Sequence, residues 1–251
     1  RRKRSAERAF NPDFGQSRRR SRGVVTSLAR RFAAYKKGPD MSDVVLYDYW
    51  RSSASYRVRI ALNLAKIPYR AVSVDLVAQD QKSTLHLARN PQGLVPVLDI
   101  DGNRFTQSLA ILDYLDETRT LGLLPQDPVQ RAKIRALAQT LAIDVHPVCN
   151  LSVTQFAVQE AGRQALRTDW MRRFISPGLS AFETLLDDFD QTPYCIGSAP
   201  TLADICLIPQ LYNARRWDTD YQKCAKIRSI ETACAAHPAF AAAHPDQIKP
   251  D

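Results

Sequence analysis

The residues from 51 to 57, Arg-Ser-Ser-Ala-Ser-Tyr-Arg, are the side chains of this sequence best suited to chemistry on a bound anion. They lie on a turn that enters a predicted helix, where free backbone amides and the helix dipole favour an anion such as a thiolate. A serine hydroxyl that donates to the sulfur lowers the thiol pKa from its usual ~8.5 toward neutrality. The serines could instead only cap the helix. Arg57 argues for more than capping, because a cation in the first turn opposes the helix dipole.

Two further loops carry groups that bind peptides and carboxylates. In the first, at 90–96, a proline opens a strand, which predicts a cis peptide bond and exposes the backbone N–H and C=O of Val95 to a peptide-like ligand. A simple tight turn is the alternative. In the second, Gln107 and Ser108 begin another helix, whose N terminus can hold a carboxylate. The three loops together predict a site for a small peptide with a thiol and a carboxylate, and glutathione has that shape.

The elements that position the first loop are predicted to form a βαβ unit. An apolar strand at 44–47 precedes the turn, a helix covers 55–66, and a second strand covers 69–76. Apolar residues in the helix recur at i, i+3, i+4 and i+7, which defines one buried face. The same periodicity predicts that Arg59 and Lys66 face away from the core.

The next segment completes the first domain. A short helical stretch at 79–89 leads to strands at 95–98 and 104–106, and Asp101-Gly102 between them is a strong hairpin signal. A helix at 108–118 follows. This order of strands and helices is that of a thioredoxin-like α/β domain.

The residues beyond this domain predict helices only. A linker at 122–127 leads into helices that cover most of 128–251, and the first of these helices is predicted at 128–145. Thr201 and Asp204 form a capping box at the start of one of them, and we interpret that motif as structural. The sequence therefore predicts two domains, a thioredoxin-like domain at 41–121 and an all-α domain at 128–251.

Charge is distributed unevenly along the 251 residues. Residues 1–40 carry 13 Lys and Arg against 3 Asp and Glu, whereas the remainder carries 22 against 23. The nearly neutral remainder lacks the basic surface of a nucleic-acid-binding protein. We interpret 1–40 as a disordered basic leader or upstream extension. An organelle transit peptide is the alternative, because 24–37 is Arg-rich and free of acids, with apolar residues at helical spacing.

The cysteines and histidines limit the metal chemistry and the compartment. The five cysteines form no CxxC pair and the four histidines are too scattered to complete a site, so no metal is expected. An odd number of unpatterned thiols fits a reducing cytoplasm. Cysteines in apolar runs such as 205–207 are expected to be core residues. No apolar run reaches the roughly 18–20 residues that a membrane span needs.

Residues 42–245 resemble a zeta-class glutathione transferase. The run YWRSSASYRVRIALNL resembles the signature of that class, and NPQGLVPVL, TQSLAILDYLDET, LLPQDP, HPVCNLSV, TLADICLIPQ and NARRW follow in its order and at its spacing. The resemblance implies the glutathione transferase fold, in which a thioredoxin-like N-terminal domain precedes an all-α domain. It also implies glutathione as cofactor and a homodimer.

The same resemblance implies roles for individual residues. Ser53 is expected to activate the thiol, with Ser52 as the alternative, since Ala54 stands where many members of the class have a cysteine. Arg216 matches the arginine that holds the carboxylate of the substrate in this class, and Arg57 or Arg216 is expected to hold that carboxylate and the developing enolate. The implied contacts to glutathione are Ser52, Ser53, Ala54, Ser55, Tyr56, Arg57, Gln81, Val95, Gln107, Ser108, His146, Asn150, Leu151 and Ser152.

The implied reaction is the cis–trans isomerisation of maleylacetoacetate, a diketo-diacid, to fumarylacetoacetate in tyrosine and phenylalanine breakdown. Reversible addition of a thiolate turns the double bond into a single bond that can rotate. The alternatives are isomerisation of maleylpyruvate, a glutathione-consuming transferase or dehalogenase, and a non-catalytic interaction module on the same fold. Two residues also have ordinary alternatives: His146 could be a packed helix end, and Arg216, next to Arg215, could belong to a solvated face.

Overall fold

The structure is a computed structural model that describes residues 44–250. Its first part contains a four-stranded mixed sheet. The strands are β1 (Val45–Asp48), β2 (Arg70–Ser73), β3 (Val97–Ile100) and β4 (Asn103–Thr106), in the spatial order β2-β1-β3-β4. Strand β1 is parallel to β2 and antiparallel to β3, and β4 pairs antiparallel with β3 across the predicted Asp101-Gly102 hairpin. This topology confirms the thioredoxin-like prediction.

Helices flank the sheet and form the regular secondary structure of the remaining described residues. They are α1 (Ser53–Leu64), α2 (Thr84–Leu87), α3 (Ser108–Arg119), α4 (Pro128–Gln139), α5 (Leu151–Ala161), α6 (Leu166–Leu185), α7 (Leu202–Arg216), α8 (Ala225–Ala236), α9 (Pro238–Ala243) and α10 (Pro245–Ile248). A π-helical segment covers Thr140–Val145, and 3-10 turns cover Asp80–Lys82 and Leu186–Asp188. None of the helices between residues 44 and 250 is both long and apolar enough to cross a membrane. The leader predicted at 1–40 lies outside the described residues.

Two helix boundaries differ from the prediction for local reasons. Helix α1 begins at Ser53, two residues earlier than predicted, because the Ser52 side chain caps it. The helix predicted at 128–145 is α-helical only to Gln139 and then widens into the π-helical segment. The periodicity of apolar residues cannot distinguish these two helix types, so the sequence did not predict the change. π-Helical turns often lie at functional sites.

The prediction that Arg59 faces away from the core is wrong. Its side chain is fully buried, and Nη1 donates to both carboxylate oxygens of Asp48 at 2.9 and 2.8 Å. Its Nε donates to the carbonyl oxygen of Ala243 at 3.1 Å, and Nη2 donates to that of Trp50 at 3.0 Å. The prediction failed because α9 packs against a second face of α1, so this helix is buried on more than one side.

One hydrophobic core joins the sheet-bearing part to the helical part. It contains Ile60 and Leu62 of α1 together with Leu137, Phe182 and Leu211 of the helical part, each no more than 1% exposed. Helix α1 packs against α3 on one side and α7 on another. The N terminus of α1 therefore lies where the two parts meet, and the domain boundaries at 121 and 128 stay a prediction.

Helix α7 begins at the predicted capping box. The backbone N and Oγ1 of Thr201 both donate to Oδ2 of Asp204, at 2.7 and 2.8 Å. The other carboxylate oxygen accepts from the backbone N of Cys195 at 2.8 Å. Asp204 is fully buried, and burial raises its pKa. The motif is structural, as the sequence indicated, because every contact stays within the protein.

We expect Arg59→Met to lower the free energy of unfolding by about 3–5 kcal/mol, because it leaves the buried Asp48 carboxylate without its cation. The double variant Asp48→Leu/Arg59→Met should recover part of this loss, since it leaves no unpaired charge. As a control, Arg104→Met breaks the more exposed pair with Asp99 and should cost at most about 1 kcal/mol. Urea unfolding followed by circular dichroism measures all three, and equal costs for the two single variants would contradict the assignment.

Candidate active site

The N terminus of α1 presents two serines that face different neighbours. Ser52 is the N-cap residue, and its Oγ accepts from the backbone N of Ser55 at 3.2 Å. Ser53 is buried, and its Oγ donates to the carbonyl oxygen of Pro209 in α7 at 3.4 Å. No described residue accepts the Ser52 hydroxyl proton, so that proton can be donated to a ligand.

The turn before these serines holds a cation in a fixed position. Nη2 and Nε of Arg51 donate to the hydroxyl oxygen of Tyr49 at 2.8 and 3.3 Å. The guanidinium carbon also lies 4.7 Å from the centroid of the Trp50 ring, a cation–π distance. Arg51 therefore lies beside Ser52 without an acidic partner among residues 44–250.

Three adjoining cavities meet at this turn, and His146 and Asn150 line all of them. The outer cavity, about 240 Å³, is bounded by Ser52, Gln81, Lys82, Gln92, Val95, Leu151 and Ser152, among others. The inner cavity, about 390 Å³, is bounded by Ala54, Arg57, Val95, Gln107, Ser108 and Ile143, among others. The arginine cavity, about 410 Å³, is bounded by Arg51, Ser52, Ser53, Cys149, Arg167, Arg216 and Trp217, among others. Ser52 thus lies between the outer and arginine cavities, and Val95 lies between the outer and inner cavities.

The inner cavity contains a buried cation without an anion. Arg57 is 1% exposed, and its Nη1 donates to Oγ of Ser108 at 3.2 Å. Its Nε and Nη2 have no hydrogen-bond partner among the described residues. Burial lowers the pKa of Arg57 from its usual value. Because a buried charge without a partner is costly, this arrangement fits a cavity that receives a carboxylate.

The backbone on either side of the inner cavity is shaped for a ligand. Gln107 caps α3 at φ 66° and ψ 110°, a conformation that non-glycine residues rarely adopt, and its Nε2 donates to Oε1 of Gln92 at 2.9 Å. The Val95–Pro96 peptide bond is cis, as the sequence predicted. The N–H and C=O of Val95 form no hydrogen bond within residues 44–250, which leaves both groups open to a peptide.

His146 and Asn150 approach from the helical part. His146 directly follows the π-helical segment, and burial, with the nearby Arg57 charge, lowers its pKa to about 3. The imidazole is therefore neutral at physiological pH. Asn150 caps α5, where its Oδ1 accepts from the backbone N of Leu151 at 2.7 Å. The amide nitrogen of Asn150 is left free to donate to a ligand.

The arginine cavity carries three cations and no acidic side chain among its lining residues. The guanidinium carbons of Arg167 and Arg216 lie 5.9 and 5.7 Å from the centroid of the Trp217 ring. Partial burial lowers the pKa of Arg216, and the charges of Arg51 and Arg167 lower it further. Three guanidinium groups that repel one another favour an anionic ligand between them.

The adjacent arginines at the end of α7 have separate roles. Arg215 forms an ion pair with Glu231 and donates to the hydroxyl oxygen of Tyr221 at 3.2 Å. Arg216 has no ion pair among the described residues and faces the arginine cavity. Arg216 is nonetheless exposed, so its role in binding a carboxylate stays a prediction.

The structure gathers twelve of the fourteen implied glutathione contacts around the three cavities. Ser55 and Tyr56 are the exceptions: both side chains are buried, and the Tyr56 ring packs against Tyr212 and His244. All five cysteines are buried, as predicted. No motif pointed to Arg167, which belongs to a stretch with many charged residues. Arg51 belongs to the serine turn, but the sequence did not predict that it lines a cavity. Its position there depends on its contacts with Tyr49 and Trp50.

The structure separates the two arginines that were alternatives for holding the substrate. Arg57 lines the inner cavity, whereas Arg216 lines the arginine cavity. The two cations are therefore placed to meet different anions, and which of them holds the substrate stays a prediction.

Comparison with known proteins agrees with this architecture. Residues 42–117 match the glutathione S-transferase N-terminal domain family. The chain is 56% identical over 211 residues to maleylacetoacetate isomerase of Rhizobium meliloti strain 1021, a match that covers 83% of this chain and 99% of the relative.

Two solved structures extend the comparison to the fold. One is a holo structure of maleylpyruvate isomerase, a bacterial zeta-class glutathione S-transferase, with TM-score 0.79 and 37% identity over 82% of this chain and 98% of that one. The other is maleylacetoacetate isomerase from Anaeromyxobacter dehalogenans 2CP-1 with glutathione bound in the active site, with TM-score 0.74 and 42% identity over 82% and 97% of the chains. The chain described here therefore belongs to the zeta class of the glutathione S-transferase family.

Proposed function

We propose that this protein catalyses the glutathione-dependent cis–trans isomerisation of maleylacetoacetate to fumarylacetoacetate, a step in tyrosine and phenylalanine breakdown. The observation that carries the proposal is the arginine cavity, which places three cations and no acid beside the N terminus of α1. A transferase for apolar electrophiles has no use for such a charge, whereas a diketo-diacid requires one. Family membership supplies the reaction type.

The residues around the outer and inner cavities fit glutathione. Arg57 and Ser108 offer unpaired donors to the γ-glutamyl carboxylate at the N terminus of α3. The free N–H and C=O of Val95 match the peptide backbone of the cysteinyl residue. In the outer cavity Lys82 can pair with the glycyl carboxylate, and the buried Oε1 of Gln81 lacks a donor that a peptide N–H would supply.

Bound glutathione supplies the thiolate that adds to the double bond and leaves again once the bond has rotated. The protein keeps that sulfur ionised by the free amides and dipole of α1 and by one serine hydroxyl. Arg216 holds a substrate carboxylate, and Arg51 stabilises the negative charge that develops on the substrate oxygen. The neutral imidazole of His146 can donate one hydrogen bond without bringing a further positive charge to the cavity.

Ser52 is the serine that the hydrogen bonding favours as the partner of the sulfur. Its hydroxyl proton is free, and it borders both the outer and the arginine cavity, where a thiol must meet its substrate. The Ser53 hydroxyl proton is directed to the carbonyl of Pro209 instead. The ranking from the sequence, which put Ser53 first, is therefore reversed in this proposal.

Maleylpyruvate is the second candidate substrate, because it carries two carboxylates as well and would suit the same cations.

The five buried cysteines, none of them in a disulfide, support the cytoplasmic location as part of the proposal. A homodimer is proposed from the family resemblance alone.

The direct test of function is turnover of maleylacetoacetate and of maleylpyruvate, with and without glutathione, by the purified protein. We expect rapid isomerisation of maleylacetoacetate at glutathione concentrations far below that of the substrate, because the thiol is regenerated in each cycle. Quantitation of free thiol at the end should show no consumption. Stoichiometric loss of glutathione would indicate a conjugating transferase, and absence of turnover would favour a non-catalytic module.

The serine assignment predicts unequal effects of two alanine substitutions. We expect Ser52→Ala to lower kcat about 10²–10³-fold, the usual loss on removing one oriented donor to a developing or stabilised anion. Glutathione affinity, measured by calorimetry, should change little, because other residues hold the peptide. Ser53→Ala is the matched control and should retain most activity. The reverse order of effects would restore Ser53 as the activating residue.

The role of Arg216 predicts a loss confined to charged substrates. We expect Arg216→Ala to raise KM for maleylacetoacetate by the equivalent of roughly 1.5–3 kcal/mol, the value of hydrogen bonds to a charged group. Arg216→Lys should recover only part, because an ammonium cannot reproduce the bidentate contact. Conjugation of an uncharged electrophile should be nearly unchanged. Equal damage to both substrate types would make Arg216 a structural residue.

A further inference from the structure

Arg167 is a cation at the cavity wall for which the described protein provides no anion. It lies in the first turn of α6 and is half-buried. Asp169 is the acidic residue nearest to it along the chain, and it is paired with Arg163 at 2.9 Å. Asp218, next to Trp217, is paired with Arg172 at 2.7 Å. Arg167 itself forms no ion pair among residues 44–250. Its charge is therefore available to a ligand.

The ring of Trp217 fixes where that charge lies. The indole Nε1 donates to Oδ1 of Asn213 at 3.2 Å, and the backbone oxygen of Trp217 accepts from Nε of Arg172 at 3.1 Å. The guanidinium carbon of Arg167 lies 5.9 Å from the centroid of this ring. This is a cation–π distance, and a guanidinium held by a ring face keeps its N–H groups free to bind a carboxylate in bidentate fashion.

Arg167 lies where the arginine cavity adjoins a second hollow. That hollow is formed with Gln155, Val158, Gln159, Gly162 and Gln164, and contains no residue of the serine turn. Ser52 and Arg51 border the arginine cavity from the turn before α1. The reacting groups and Arg167 are thus contributed to one cavity by different parts of the protein.

We infer that Arg167 binds the distal carboxylate of a dianionic substrate, the one remote from the double bond, while Arg216 binds the carboxylate next to it. This inference rests on the proposed function for the identity of the substrate. The eight-carbon chain of maleylacetoacetate separates its two carboxylates by more than one guanidinium group can span. Arg167 is then a specificity-determining residue that selects diacids over monoacids of the same reactivity.

The test compares maleylacetoacetate with maleylacetone, the monoacid that has a methyl group in place of the distal carboxymethyl group. In Arg167→Gln we expect the ratio of kcat/KM for diacid over monoacid to fall about ten- to a hundredfold, the value of a charged hydrogen-bonded contact. Turnover of maleylacetone should stay near wild type. In Arg216→Gln both substrates should lose activity, because both retain the carboxylate next to the double bond.

Two controls separate a contact from general electrostatic attraction. Arg163→Gln removes an equal charge four residues earlier, from an exposed side chain, and should leave the ratio unchanged. Arg167→Lys keeps the charge but not the planar edge and should restore only part of the ratio. Full recovery by lysine, or a similar effect of Arg163→Gln, would show that Arg167 acts only by long-range attraction and would overturn the inference.

A binding measurement tests Arg167 even if the protein isomerises neither diketone. Octanedioate is a saturated diacid with eight carbons, and octanoate is its monoacid counterpart. In the presence of glutathione, calorimetry should show octanedioate binding to the wild-type chain about tenfold or more tightly than to Arg167→Gln, with octanoate affected equally little in both. Absence of octanedioate binding to the wild type, or equal binding to both proteins, would overturn the inference independently of the proposed function.

Discussion

The buried guanidinium of Arg59 ties the reactive turn to the rest of the molecule. It bonds Asp48 at the end of β1, the carbonyl of Trp50 within the turn, and the carbonyl of Ala243 near the C terminus. Because Arg59 and Asp48 are buried, a shift of the turn would leave buried polar groups unpaired, which is costly. The positions of Arg51 and Ser52, and hence of the cavity beside them, depend on this anchor.

Cations that have no acidic partner among the described residues line two cavities, the inner cavity and the arginine cavity. Arg57 is fully buried and donates to Ser108. These surroundings suit a carboxylate that is held tightly. Arg51, Arg167 and Arg216 lie in a more open cavity that can exchange its anion at each turnover. Elsewhere in the described chain arginines such as Arg215 and Arg172 are paired with acids. A buried cation without a partner, as at Arg57, lowers the stability of the ligand-free state.

Local patterns in the sequence predicted much of the fold and a large part of the site. The succession of strands and helices along the first domain, the hairpin at Asp101-Gly102, the cis bond at Val95 and the capping box at Thr201 are each encoded by short stretches of sequence. What could not be predicted depends on packing between distant segments. Arg59 is buried because α9 covers a second face of its helix, and Ser53 loses its free proton to a carbonyl on α7. The resemblance to the family named the reaction, but neither it nor the local pattern pointed to Arg167.

The central claim is that the N terminus of α1 stabilises a thiolate of bound glutathione. It is tested most directly by titrating the ultraviolet absorbance of the thiolate in the complex of glutathione with the full chain. Because a stabilised anion lowers the pKa of its acid, the apparent pKa of the bound thiol should fall from the ~8.5 of a free thiol toward neutrality. A bound thiol that titrates at the same pH as glutathione in solution would contradict the claim.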